Sequence, residues 1–189
     1  MVERIRESNT IARTTTRRAI IIAAVLFFAA LTALTARISI PLPFTPVPIT
    51  LQVLAVLLSG LVLGARGGAA SQIAYLAGIL VGLPLSASGA GGPGVFLGPT
   101  AGYLLAFAPA AFVAGLAVGV RASFLRQLVA SLAAVLVIYL GGTAWLSVWL
   151  GGNVAKAWQL GVVPFVLVDL AKAIVAASLA RGGRSLLSI

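Results

Sequence analysis

The stretch VPFVLVDLAKAIVAASLA, residues 163–180, places Asp169 and Lys172 inside a run of apolar residues. The run approaches the roughly 20 apolar residues that a helix needs to cross a bilayer. A charge in hydrocarbon is costly unless it is paired or faces a cavity, so such residues usually mark a functional site. Their i, i+3 spacing puts both side chains on one face of a helix. The stretch therefore predicts a transmembrane helix that carries an acid and an amine together.

The composition of the whole chain agrees with a membrane protein. Its 189 residues are 61% hydrophobic and 8% charged, with a mean hydropathy of +1.15, and a water-soluble domain could not cover that much apolar surface. The net charge of +10 is not arranged as a basic patch with interleaved aromatic residues, so nucleic acid is not a predicted partner. The predicted environment is the lipid bilayer.

The chain lacks most of the side chains that enzymes use. It contains no Cys and no His, which excludes thiol nucleophiles, imidazole bases and the common zinc and haem ligand sets. Its three carboxylates are Glu3, Glu7 and Asp169. The first two lie in a polar N-terminal segment, so no paired acid and base is available. We therefore predict that the protein is not an enzyme and holds no metal or cofactor.

Hydropathy divides the chain into six candidate spans, which predict an all-α integral membrane bundle of six transmembrane helices. The second and third spans are short and are separated only by residues 64–67, so they are predicted to form a helical hairpin. The predicted organisation is a polar tail over 1–18, a membrane domain over 19–180 and a C-terminal tail over 181–189. The six spans are 19–36, 49–63, 68–83, 100–120, 127–150 and 163–180.

The basic residues predict how the bundle is oriented. Ten Lys and Arg residues outside the spans lie on the face that carries both termini, whereas the opposite face has only Arg37 and Lys156. Positively charged residues near membrane spans favour the cytoplasmic side. Both termini are therefore predicted to be cytoplasmic.

With this orientation, the connections 37–48, 84–99 and 151–162 face outward. The first has four prolines in the eight residues 41–48, which stiffen it, and the second is rich in Gly and Ser. Irregular backbone at membrane depth lies either in the headgroup layer or over a polar cavity. The first two connections are therefore either covers of a ligand cavity or ordinary links between helices.

The acid and amine also have two interpretations. They could form a self-satisfied ion pair that supports bundle assembly, but buried pairs stabilise poorly compared with apolar side chains. Alternatively, they form the polar floor of an outward cavity, where Lys172 donates to an anionic group and Asp169 accepts from N–H groups of a ligand. Arg37, at the outer end of the first span, is either an interfacial anchor or a ligand contact.

Four segments resemble the BioY family. They are ISIPLPFTPVPITLQ (38–52), GLPL (82–85), GGPGVFLGPTAGY (91–103) and DLAK (169–172). BioY proteins are the biotin-binding substrate-specific S components of energy-coupling factor (ECF) transporters. The resemblance covers nearly all of the chain after residue 20.

The resemblance implies an ECF S-component fold with an extracellular biotin pocket, in the cell membrane of a prokaryote. It also implies a transmembrane T subunit and ATPase subunits as partners. Biotin has a carboxylate that suits Lys172 and ureido N–H groups that suit Asp169. One departure is Ala90, where relatives are expected to carry Asn or Arg. Either Ser86 or Ser88 supplies that contact, or affinity rests on backbone groups of the loop.

The implied site residues form two groups. The expected biotin contacts are Asp169, Lys172, Arg37, Ser86, Ser88 and Tyr103. The expected docking face for the T subunit is a small-residue face of the first helix, formed by Ala19 and Ala23 or by Ala29 and Ala33.

A second function remains open from the residues alone. Asp169 could be the titrating group of a cation- or proton-coupled secondary transporter of a small anionic solute.

Overall fold

The computed structural model describes the backbone of residues 2–117 and 123–186, and the side chains of residues 16–117 and 123–180. These residues form an almost entirely helical bundle, as predicted, with one two-residue antiparallel strand pair. In chain order, the elements are α1 (Val2–Ala36), β1 (Ser39–Ile40), β2 (Ile49–Thr50), α2 (Gln52–Leu80), a 3-10 turn (Pro93–Leu97), α3 (Ala101–Gly115), α4 (Phe124–Trp149), α5 (Val154–Gly161) and α6 (Val166–Leu186).

Helix α2 is folded back on itself at Gly64. This residue has φ 79° and ψ 175°, a backbone conformation that glycine adopts without steric cost. The amide Nε2 of Gln52 donates to the hydroxyl of Tyr75 over 2.7 Å, although the two residues are 23 positions apart and would lie roughly 34 Å apart along a straight helix. The arms 52–63 and 65–80 are therefore antiparallel, which confirms the predicted hairpin.

Each predicted span coincides with a helix or with an arm of α2, but several boundaries differ. Residues 49 and 50 pair with β1 and do not begin the second span. The last helix begins at Val166, three residues later than predicted. The fourth span ends earlier, because α3 ends at Gly115, and its predicted end at residue 120 lies outside the described residues.

The connection 151–162, whose conformation was not predicted from the sequence, contains the short helix α5. The side chain of Asn153 accepts from the backbone N–H of Lys156 over 2.9 Å and caps the N-terminus of the helix. Ala157 is fully buried, so one face of α5 packs on the bundle. The helix α5 meets α6 at an angle of 54°.

Small residues let the helices approach closely. Helix α2 packs on α3 at Gly60, where an added Cβ would overlap the carbonyl oxygen of Ala111. Helix α3 packs on α4 at Gly102, where an added Cβ would overlap the carbonyl oxygen of Gly141. Such contacts replace the hydrophobic driving force that is missing between helices in lipid.

The exterior of the bundle is apolar. Within the described residues, Thr16–Ala36, Gln52–Leu80 and Phe124–Trp149 are long and apolar enough to cross a membrane, and α5 with α6 forms a bent fourth candidate. Large apolar side chains point outward, whereas many buried positions hold alanine. This arrangement suits a bundle surrounded by lipid. Exposed examples are Leu26, Phe27, Leu34, Leu105, Leu136, Leu140 and Leu167.

Helix α1 continues through the predicted tail 1–18, and α6 continues to Leu186 within the predicted tail 181–189. The division into tails and membrane domain, and the cytoplasmic placement of both termini, stay predictions from the charge pattern.

Candidate functional site

A cavity of about 690 Å³ opens at the loop end of the bundle. Its size lies within the range of about 300–1,000 Å³ typical of small-molecule sites, and its lining combines apolar walls with a few polar groups. The lining residues are Ser39, Pro41, Leu42, Thr45, Pro46, Val47, Pro48, Thr50, Gln52, Val53, Ser86, Ala87, Ser88, Ala90, Gly91, Gly94, Val95, Gly98, Pro99, Thr100, Tyr103, Leu104, Phe107, Ile138, Tyr139, Gly161, Phe165, Asp169 and Lys172.

Asp169, Lys172 and Tyr139 form a hydrogen-bonded cluster in this cavity, here called the inner pole. The ammonium group of Lys172 donates to Oδ1 of Asp169 over 2.7 Å, and the hydroxyl of Tyr139 donates to Oδ2 over 2.8 Å. The side chains of Asp169 and Lys172 are only 4% and 7% exposed. The ammonium keeps two further hydrogens and the carboxylate keeps further lone pairs, so the cluster can still bind a guest molecule.

The start of α6 places the carboxylate. The backbone N–H of Asp169 donates to the carbonyl of Phe165 over 2.8 Å, so Asp169 lies in the first turn, where the positive end of the helix dipole stabilises an anion. At 1.5 Å per residue, Asp169 and Lys172 lie roughly 4.5 and 9 Å along α6 from Val166. Both groups therefore lie near the loop end of the helix.

The walls beside the inner pole are apolar. Buried side chains of Leu104, Phe107, Ile138 and Phe165 line the cavity together with Tyr103. The hydroxyl of Tyr103 donates to the carbonyl of Gly161 over 2.9 Å, so its ring faces the cavity while its polar group holds α5. If Tyr103 contacts a ligand as predicted, the contact is expected to be made by its ring, because its hydroxyl is bonded to Gly161.

The first loop is tied to α5 across the cavity. The buried hydroxyl of Thr45 donates to the carbonyl of Leu160 over 2.8 Å and accepts from the backbone N–H of Val47 over 3.2 Å. Residues 39–40 and 49–50 close the loop at its base as a short ladder. The proline-rich segment therefore forms an anchored wall of the cavity.

The second loop contributes Ser86, Ser88 and Ala90, here called the loop pole. The hydroxyl of Ser86 donates to the carbonyl of Ala90 over 2.7 Å and accepts from its N–H over 3.0 Å. It also lies 3.1 Å from the hydroxyl of Ser88. Ser86 therefore shapes the loop with its own hydroxyl, and the more exposed Ser88 is the freer of the two predicted contacts.

Arg37 contacts this loop and does not line the cavity. Its guanidinium donates to the carbonyl oxygen of Pro84. An added Cβ on Gly89, next to Ser88, would lie 2.8 Å from its Nη1 atom. Arg37 is thus the one predicted biotin contact that does not line the cavity, whereas the other predicted contacts do.

The four predicted docking residues differ in accessibility. Ala19 and Ala23 are exposed on α1, whereas Ala29 is buried in the core and Ala33 is partly buried against it. Docking on the T subunit stays a prediction, and of the four predicted residues only Ala19 and Ala23 are exposed for such a contact.

Tyr139 and Gln52 are among the polar groups of the cavity that the sequence interpretation missed. Tyr139 holds the carboxylate, and Gln52, which is 3% exposed, donates to the hydroxyl of Tyr75. That hydroxyl in turn donates to the carbonyl of Leu85 over 3.2 Å, so Gln52 supports the second loop. A polar side chain within an apolar span could have been noticed, because it needs a hydrogen-bonding partner in hydrocarbon. The partner lies on another helix for Tyr139 and on the other arm of α2 for Gln52.

Comparison with known proteins identifies the family of this fold and cavity. The model of the BioY family matches residues 7–188. The chain belongs to the BioY family. It is 44% identical over 157 residues to the probable biotin transporter BioY of Pyrococcus horikoshii, covering 83% of this chain and 91% of that relative. It is 42% identical over 153 residues to the biotin transporter BioY of Thermotoga maritima, covering 81% and 89%.

The fold also matches that of a solved structure. The crystal structure of the S-component for biotin from an ECF-type ABC transporter superposes on this BioY-family chain with a TM-score of 0.83 and 29% identity, covering 90% of this chain and 93% of the other. The predicted S-component fold is thereby confirmed. The chain is a multi-pass membrane protein of a prokaryotic transporter family.

Proposed function

We propose that this protein is the biotin-binding S component of an ECF-type transporter and binds biotin in the 690 Å³ cavity. The observation that carries the proposal is the inner pole, where an ion pair and a tyrosine hydroxyl face a cavity at membrane depth. The solved relative is an S-component for biotin, and the curated relatives are biotin transporters.

The cavity matches the chemistry of biotin. Biotin has a ureido group with two N–H donors and one carbonyl acceptor, a thiophane ring, and a valeryl chain that ends in a carboxylate. Asp169 offers acceptor sites, while Lys172 and Tyr139 carry donor groups. Phe107 and Phe165 line an apolar space for the ring and chain.

The energy for uptake is proposed to come from partner subunits. The sequence contains no G-x-x-x-x-G-K-[ST] phosphate loop, so the chain has no Walker route to ATP hydrolysis. A transmembrane T subunit and ATPase subunits would supply that step, and the exposed face at Ala19 and Ala23 is the proposed contact for the T subunit. The chain itself would act in transport and not in catalysis.

The binding proposal is tested by calorimetric titration of the detergent-solubilised protein. We expect saturable binding of biotin and at least tenfold weaker binding of lipoate, which shares a sulfur ring and a pentanoate tail but lacks the ureido group. Equal affinity for the two molecules, or no heat with biotin, would contradict the proposed substrate.

The mode of energy coupling is tested in vesicles. Uptake of biotin that requires added T and ATPase subunits with ATP, and that survives collapse of the proton gradient, is the expected result. Uptake by this chain alone that stops with the gradient would favour the cation- or proton-coupled secondary transporter, which the comparisons do not favour.

A further inference from the structure

A second concave surface lies on the outside of the bundle, between α3 and α4, and is here called the α3–α4 groove. It encloses about 580 Å³ and shares no lining residue with the cavity that contains the inner pole. The groove follows the seam where the two helices approach closely, at Gly102, Ala106 and Gly141. Exposed side chains of Leu105 and Leu140 also line it. The groove therefore opens toward the lipid.

The side chains of the groove offer no free polar group. The one polar side-chain atom in the lining is the indole nitrogen of Trp145, which donates to the carbonyl of Gly98 over 2.8 Å. Water does not occupy a space without polar partners. An empty groove would deprive its lining of dispersion contacts. The occupant that fits this chemistry is a hydrocarbon chain.

The length of the groove distinguishes a lipid chain from a partner helix. Its lining on α4 extends from Val137 to Val148, which corresponds to roughly 16 Å along the helix axis. This is about half of the roughly 30 Å hydrocarbon thickness of a bilayer. Among the described residues of α4, none before Val137 lines the groove. A transmembrane partner helix would cross both leaflets, whereas one acyl chain covers a single leaflet.

Trp145 connects this groove to the cavity. Its ring lines the α3–α4 groove, and its N–H group holds the carbonyl of Gly98, which is a lining residue of the cavity. The backbone of Gly102 fits against the same side chain, since an added Cβ there would overlap the Cβ of Trp145. A molecule packed on the ring would restrict its movement and thereby keep the bond to Gly98 in place.

We propose that the α3–α4 groove binds one acyl chain of a phospholipid from the leaflet at the loop end of the bundle, and that this chain slows biotin release by holding Trp145 against Gly98. Trp145 is the positioning residue of this coupling. The coupling rests on the proposed function, whereas the lipid site does not.

The lipid site is tested without biotin, by native mass spectrometry of the detergent-solubilised protein titrated with dioleoyl phosphatidylcholine. We expect one lipid to be retained by the unmodified protein. Ala144→Phe places a ring in the groove from an exposed position, so it should weaken this binding roughly tenfold or more. The matched control is Ala30→Phe, because Ala30 is exposed on α1 at a similar distance from the loop end of its helix. It should retain the lipid.

The coupling is tested by stopped-flow measurement of biotin release with and without the same lipid. Added lipid is expected to slow release several-fold in the unmodified protein and in Ala30→Phe, and to have no effect in Ala144→Phe. Trp145→Phe keeps a ring in the groove but loses the donor to Gly98. It should therefore still retain the lipid while its release rate no longer responds. If Ala144→Phe does not fold, Val148→Phe, at an exposed lining position, replaces it.

Three outcomes would overturn the proposal. Equal lipid retention in Ala144→Phe and the unmodified protein would indicate unspecific lipid around the bundle. A dimer mass that disappears in Ala144→Phe would show that a second copy occupies the groove. A release rate that ignores lipid in the unmodified protein would refute the coupling. If the unmodified protein retains the lipid but does not bind biotin, the proposed function fails while the lipid site stands.

Discussion

The ion pair of the inner pole is predicted to be retained for binding and to contribute little to stability. The test replaces the pole stepwise, first with Lys172→Met alone and then with Lys172→Met, Asp169→Leu and Tyr139→Phe together. The first variant leaves a buried carboxylate without its cation. The combined variant leaves only apolar side chains of comparable size in their place.

The magnitudes follow from burial and contact. Side chains that are 4% and 7% exposed are little screened by solvent, so removing one partner of the pair is expected to cost about 3–5 kcal/mol. The hydrogen bond from Tyr139 to the carboxylate does not compensate for this, because such a charge-assisted bond contributes only about 1.5–3 kcal/mol and is already present. The combined variant removes the unpaired charge, so its stability is expected to return to within about 1 kcal/mol of the unmodified protein or above it.

Two measurements separate stability from binding. Thermal unfolding in detergent, followed by tryptophan fluorescence, should show a clear decrease in Tm for Lys172→Met and little decrease for the combined variant. Calorimetric titration should show no biotin binding in either. A combined variant as unstable as the single one would mean that the pair is structural, and unchanged biotin affinity in the combined variant would refute the assignment of the site.

Two other substitutions, each with a control, test the packing and the second loop. Gly60→Val is expected to destabilise the bundle by several kcal/mol, because a Cβ there overlaps the carbonyl of Ala111. The control Gly94→Ala should leave Tm nearly unchanged, since no atom lies within 4 Å of its added Cβ. Equal Tm values for the two variants would contradict the close contact between α2 and α3. Trp145→Phe removes the donor to the carbonyl of Gly98 at 2.8 Å and is expected to speed biotin release several-fold in a stopped-flow measurement. Substitution of the exposed Trp149 by Phe serves as the control. Identical release rates in the two variants would show that this hydrogen bond does not hold the loop.

The polar residues within the apolar spans show how far sequence reasoning reached. Asp169 and Lys172 were identifiable because a charged side chain in hydrocarbon is costly and usually functional, and their spacing put them on one face of the helix. The third member of the cluster, Tyr139, lies on α4, 30 residues before Asp169 in the chain. Nothing in the periodicity of α4 says which tyrosine meets which carboxylate, since that depends on how α4 and α6 are packed.

Arg37 shows the opposite case. It directly follows the helix of the first span, as predicted, and its role as a ligand contact was one of two alternatives that the residues left open. Its guanidinium contacts the second loop at Pro84 and Gly89 and does not line the cavity. The path of a Gly-rich and Ser-rich segment depends on backbone contacts to other elements, so its course could not be predicted from its own residues.

The sequence by itself determined the membrane environment, the all-helical class, the hairpin at Gly64 and the position of an acid and an amine on one face of the last helix. These follow from local properties: hydropathy, backbone freedom at glycine and the cost of a charge in lipid. Only the tertiary structure decided that Tyr139 joins the pair, that Arg37 binds the carbonyl of Pro84 and that one cavity is lined by both the inner pole and the loop pole. The physical reason is that each of these depends on distances between helices that are far apart in the chain.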